Sequence, residues 1–207
     1  PGIDLLAVAR SVGNPTRKNC GVCHFAGGGG DAVKHGDLDG SMYFPGERID
    51  VHMGALDFTC SDCHQTRDHR VPGCAMSVCI DRPARVMCVD CHSATPHDNE
   101  RLDAHTDTVA CQTCHIPRMA IDAPTKMVWD WSTAGQDLPQ DPHTYLKGKG
   151  SFQYAQNLRP EYYWYDGRAY RYLTGDKIDP GKVVAINQPL GSAGDPHAKI
   201  WPFKVHR

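Results

Sequence analysis

One pentapeptide pattern, Cys-x-x-Cys-His, occurs four times in 207 residues and constrains this chain more than any other feature. The copies are Cys20-Gly-Val-Cys23-His24, Cys60-Ser-Asp-Cys63-His64, Cys88-Val-Asp-Cys91-His92 and Cys111-Gln-Thr-Cys114-His115. This is the attachment motif for c-type haem. Two thiols three residues apart reach the two vinyl groups on one edge of a porphyrin. The histidine that follows falls under the iron as proximal ligand. A shuffled chain of this composition would contain roughly 0.03 such matches, so the repetition is not accidental. Zinc sites built from paired CxxC units would leave a histidine after every pair unexplained. A thioredoxin-like redox pair needs a single CxxC beside a βαβ unit. The motifs therefore imply four covalently attached haem c groups.

Those groups would also supply what the rest of the composition lacks. The chain has 20 Gly and 15 Pro, which interrupt regular structure often. An aliphatic core looks thin, and flat apolar macrocycles would fill it. The expected fold is mostly irregular, with short α-helices around four covalently bound haems and a small β-hairpin in the C-terminal part. A formal charge of −2 gives no reason to expect nucleic acid or an anionic membrane as partner. No apolar run approaches the ~18 residues of a membrane helix, so no membrane span is expected. The first residue is proline, which reads as a processed or trimmed end.

Eight histidines remain once the proximal His24, His64, His92 and His115 are set aside. His69 lies five residues after His64 and His97 five after His92; His52 precedes Cys60 by eight and His105 precedes Cys111 by six. His35 follows the first motif. His35, His52, His69, His97 and His105 are thus the candidate distal ligands, enough to close every iron. The short offsets of His69 and His97 leave open that each serves a neighbouring haem. Met53, next to His52, is the competing ligand type. His143, His197 and His206 read as surface residues. Closed irons leave no position for substrate, so an electron carrier is favoured over an enzyme, with no catalytic residue to name.

From Met127 on there is no cysteine, and all four Trp and seven of the eight Tyr lie there. The division expected is a tetrahaem-binding region, 1–126, and a haem-free aromatic-rich lobe or assembly arm, 127–207. "EYYWYDGRAYRYL", residues 161–173, reads as a hairpin turning at Asp166-Gly167. "GGGGDAVKHGDLDG", residues 27–40, lacks the Lys-Ser/Thr of a phosphate loop. Its glycines suit backbone passing close to a porphyrin. Asp31, Asp37 and Asp39 are a candidate Ca²⁺ set, although loop carboxylates usually face water. Cys74 and Cys79, in "CAMSVC", have no following histidine, since Ile80 stands there. Haem c is attached outside the cytoplasm, where thiols oxidise, and the pair reads as a disulfide marking an extracytoplasmic location, extracellular or periplasmic.

Longer phrases carry a family resemblance. "SVGNPTRKNCGVCHFAGGGGDAVKHGDLDG", "DVHMGALDFTCSDCH", "HTDTVACQTCHIP", "TKMVWDWSTAG" and "KIWPFKV" resemble the octahaem tetrathionate reductase family of multihaem c-type cytochromes. The resemblance implies secreted proteins with eight haems that reduce tetrathionate and some nitrogen oxyanions or hydroxylamine at a CxxCK haem. This chain has half as many motifs and no CxxCK. It looks like the central four-haem portion of such a protein, or a four-haem relative that has lost both flanks, carrying electron-transfer haems but not the catalytic one. It is also similar in haem content to tetrahaem cytochromes that polymerise into extracellular filaments. The expected function is long-range electron transfer through closely packed bis-His haems, extending to a cytochrome nanowire. The alternative is the electron-transfer portion of an octahaem reductase. Expected partners are further copies of the chain, other redox proteins and extracellular electron acceptors.

Overall fold

The computed structural model describes residues 2–65, 68 and 86–207. His69, Cys74 and Cys79 lie outside them, and with them the expected disulfide.

The first half contains short helices: α1 (Leu5–Arg10), α2 (Arg17–His24), α3 (Cys60–Cys63), α4 (Glu100–His105) and α5 (Cys111–His115). None of them is longer than the eight residues of α2, and no described helix is long and apolar enough to cross a membrane. Between them run turns, including a 3₁₀ turn at Gly40–Tyr43 and a wide π turn at Val51–Ala55. Side-chain caps hold these elements where little packing does. Asp4 caps α1, Asn99 caps α4, and Asp50 closes the π turn by accepting the Met53 N–H at 2.7 Å. Arg17 ties the region together. Its guanidinium donates to the carbonyls of Met53 and Phe58 at 2.7 Å each and pairs with Asp57 at 2.8 Å. One residue of α2 thereby fixes the turn that carries His52 and the entry to α3.

The carboxylates that suggested calcium serve the backbone instead. Asp31 accepts the N–H of Gly40, Asp39 that of Ser41 and Asp37 that of Ile121. Among the described residues, no group of three or more His, Cys, Asp or Glu side chains could hold a metal ion. The expectation of Ca²⁺ thus has no support.

The second half is built from small antiparallel strands. β1 (Thr125–Asp130), β2 (Tyr145–Leu146) and β3 (Gly150–Ala155) form a sheet ordered β1-β3-β2. β4 (Glu161–Tyr165) pairs with β7 (Lys199–Phe203), and β5 (Ala169–Arg171) with β6 (Asn187–Pro189). The mostly irregular fold with short helices and a small β part is as expected, but the pairing is not. Glu161–Tyr165 and Ala169–Arg171 are strands, yet they do not form a hairpin. Asp166, 5% exposed, binds the backbone N–H and the guanidinium of Arg168, and its own N–H donates to Leu190. The Asp-Gly corner is anchored to a later segment, so each arm finds a partner far along the chain. The tight hairpin is β2–β3.

The two halves are stitched by β7. Ile200 receives hydrogen bonds from the Ala110 N–H and the Thr113 hydroxyl of the α5 segment and donates its own N–H to Thr108. Lys204 donates to the carbonyls of Val33 and Lys34 and to the Thr125 hydroxyl. Burial, and then the nearby Lys126, push the Lys204 pKa down to about 8. Lys126, 5% exposed, sits over the rings of Phe152 at 3.7 Å and Trp129 at 4.3 Å, a cation–π arrangement within the sheet.

Candidate haem-binding site

Each Cys-x-x-Cys-His unit lies on a helical turn, which puts its first thiol, second thiol and imidazole at positions i, i+3 and i+4 on one face. The turn is closed by the bonds His64 N–H to Cys60 and His92 N–H to Cys88, both 2.8 Å. A polar residue just before a motif cysteine sets where the turn begins. Asp62 accepts the Thr59 N–H and hydroxyl, Asn19 those of Thr16, and Asp90 the Met87 N–H. The two Thr59 bonds hold the Asp62 carboxyl below its ordinary range. In the first motif, Gly21 packs against Phe25 and Tyr43, whose rings meet edge to face at 4.7 Å. A Cβ at Gly21 would overlap both rings.

All four motifs share one pattern of exposure. The first cysteine is half-buried, while the second cysteine and the histidine are exposed on the protein surface. The motifs also adjoin one another in sequence order. Burial pushes the Cys60 thiol up, and contact with Cys20 adds to it. Cys88 is raised by burial and by Cys111 in the same way. Cys63 is raised by burial and then by Cys91. Motif one thus meets motif two, two meets three, and three meets four.

The candidate distal histidines fall into place unevenly. His52, on the π turn, faces His92 of the third motif, with ring centroids 6.0 Å apart and planes at 69°. His97 faces His115 of the fourth motif at 6.2 Å, with the planes nearly parallel at 10°. His35 is half-buried and lies close enough to His24 to feel its charge. Burial, then Lys34 and Lys204, keep its pKa low, which favours the neutral imidazole a metal needs. His105 is exposed at the end of α4, and among the described residues it has no ring pairing with a motif histidine. His143 stacks edge-on against Tyr154 at 5.3 Å, and His197 and His206 are exposed. Neither cross-motif pair is a near neighbour in sequence; what was legible was the surplus of histidines, not their destinations.

These residues fit haem c on two independent grounds. An iron bound by two imidazoles at about 2.0 Å per Fe–N bond holds their ring centroids roughly 6 Å apart, the spacing of both pairs. The second ground is the surface. A folded chain of 22.8 kDa should expose about 9,600 Å² by the usual scaling, and this one exposes 14740 Å². Among the described residues, the buried apolar side chains include no Leu, Ile or Val. The polypeptide alone does not make an interior of ordinary size, and covalently held macrocycles against the exposed motif faces would complete one.

Cysteine pairs on helical turns, each followed by an exposed imidazole, define a c-type cytochrome. The sequence profile of bacterial cytochrome c matches residues 126–207. The structure is similar to that of octaheme cytochrome c from Shewanella oneidensis, with a TM-score of 0.87 and 47% identity over 99% of this chain. The chain spans 47% of that protein's length. Comparison with curated protein sequences gives no match. This chain belongs to the multihaem c-type cytochromes, and its likeness takes in about half of the octahaem protein's length.

Proposed function

We propose that this chain carries four haem c groups and conducts electrons along them as a series of bis-His sites, outside the cytoplasm. The observation that carries the reading is the pair of facing imidazoles, His52 with His92 and His97 with His115, each at the spacing of an iron bound from both sides. His24, His64, His92 and His115 are the proximal ligands and the eight motif cysteines the attachment points. His52 then serves the third motif and His97 the fourth; His35 serves the first. His69 and His105 are the candidates for the second.

Haem c supplies one-electron Fe(III)/Fe(II) chemistry. The protein holds the attachment points contiguous, from Cys20 beside Cys60 to Cys88 beside Cys111, and keeps the redox change confined to closed irons. Two ligands retained through the redox change keep reorganisation small, and no open position remains for substrate. This favours an electron carrier over an enzyme. Redox proteins or extracellular acceptors are the partners this predicts.

Intact mass of the purified holoprotein tests the number, with four haems expected. His52→Ala and His97→Ala should each convert one low-spin haem to an open, carbon-monoxide-binding one. Fully low-spin spectra in both variants would sink the assignment.

A second reading has its own support. The likeness to an octahaem cytochrome about twice as long favours the electron-transfer portion of a larger reductase, with the tetrathionate or nitrogen-oxyanion chemistry that the family resemblance implies. Turnover by the four-motif chain itself would contradict our view that the portion described lacks the active haem. Self-association into a filament is the further extension. Exposed apolar residues at Leu173, Ile178, Val183 and Ile186 offer a surface for it. Monodisperse particles at high concentration in electron micrographs would exclude it.

A further inference from the structure

The two facing pairs differ in what lies behind the distal ring. His97 Nδ1 is 3.0 Å from Oδ1 of Asp103, and the same oxygen accepts the His97 backbone N–H at 3.0 Å. Asp103 is largely covered, its side chain 16% exposed, and sits on α4, whose start is fixed by the Asn99 cap. One carboxylate oxygen therefore fixes both ends of the His97 residue. This leaves two rotational freedoms few options, and the ring lies within 10° of the His115 plane. Nδ1 must carry the proton to donate to a carboxylate, so Nε2 is left as the free lone pair on the far side of the ring. His52 has no such partner among the described residues. Its ring neighbour there is Phe58, at 5.8 Å, and it stands at 69° to His92.

We infer that Asp103 is a positioning residue for the fourth-motif haem: it selects the His97 tautomer, holds the ring parallel to His115, and lowers the reduction potential of that haem relative to the third. The inference rests on the assignment of His97 as distal ligand made above. A carboxylate accepting the Nδ1 proton gives the imidazole partial imidazolate character, which strengthens its donation and stabilises the ferric state. Among the described residues, nothing comparable accepts a proton from the His52 ring.

The test uses the full holoprotein. In Asp103→Asn, a spectroelectrochemical titration should show one haem potential shifted upward with the spectra still low-spin. The electron paramagnetic resonance signal of the parallel pair should broaden or shift, while the strongly anisotropic signal expected of the tilted His52–His92 pair stays unchanged. Unchanged potentials and signals would overturn the role given to Asp103. If that variant does not fold, the wild-type holoprotein decides: with ¹⁵N-labelled histidine, one axial Nδ1–H should resist exchange with deuterated solvent far longer than the others. Its absence would equally overturn the inference. The His97→Ala variant separates the two levels. An opened iron there with no effect in Asp103→Asn rejects only the positioning role, whereas no opened iron rejects the ligand assignment itself.

Discussion

The motif-bearing first half and the cysteine-free second half are held together by different physics. In the described residues of the first 115 the structure rests on caps, turns and one multivalent arginine, and few side chains are buried: Phe25, Ala32, Met42 and Ala110 are the apolar ones. In residues 125–207 the pair β4-β7 has a continuous register, and β1 pairs with β3 along its length with one bulge between Lys126 and Val128. Their aromatics interlock, as Tyr165 does with Trp201 at 6.0 Å and Phe203 at 5.4 Å. The contrast teaches that the described second half packs on its own side chains, whereas the first, under the function proposed above, would take its prosthetic groups as core.

The strongest way to break this comparison is to withhold the haem. Protein made without haem attachment, or with all eight motif cysteines replaced by serine, should lose amide protection in α1–α5 and keep it in β1–β3. Hydrogen exchange measures this, and equal loss in both halves would refute the contrast. Phe152→Ala attacks the other half. Phe152 is 5% exposed and packs against Trp129 and the Lys126 ammonium, so its truncation should cost about 3–5 kcal/mol. Denaturation followed by tryptophan fluorescence should show the loss, with the haem absorption little changed.

Gly54→Ala is a smaller probe, aimed at the π turn. A Cβ there would overlap the Gly46 carbonyl, and backbone displacement of this kind costs about 1–3 kcal/mol. Because Gly54 stands two residues from His52, partial opening of one haem should accompany it, visible as a high-spin fraction. The smallest effect concerns the seam between the halves. Lys204 has its pKa lowered from 10.5 to about 8, so between those values the unfolded chain binds more protons than the folded one. Stability relative to Lys204→Met should rise as pH increases across that window and be level below it. Thermal melts of the two proteins at matched pH would show this, and a flat difference across the window would contradict it.

Much of this was legible in the chain because attachment chemistry is local. Cys-x-x-Cys-His is a single helical turn, and spacing alone specifies which atoms share a face. The sparse core was equally readable, since Gly and Pro break the pattern that an aliphatic interior requires. The Asp166-Gly167 corner shows the opposite case. Its local preference for a turn is real, but a tight hairpin also needs the two arms to prefer each other. Here Glu161–Tyr165 pairs with Lys199–Phe203 and not with its neighbour. The calcium reading found no support: Asp31, Asp37 and Asp39 are near in sequence, yet each carboxylate accepts a backbone N–H. The bacterial cytochrome c likeness of residues 126–207 left no signal in cysteine spacing at all.

By itself the sequence determined how many Cys-x-x-Cys-His units there are, which thiols and imidazoles each brings together, and that Gly and Pro leave little room for an aliphatic interior. These follow from covalent chemistry within five residues. Only the tertiary structure decided that His52 faces the third motif, that His97 faces the fourth, and that Asp103 stands behind one and not the other. Those pairings join segments through turns whose directions depend on Arg17, the Asn99 cap and the β7 seam. No offset along the chain encodes a distance that several such turns set together.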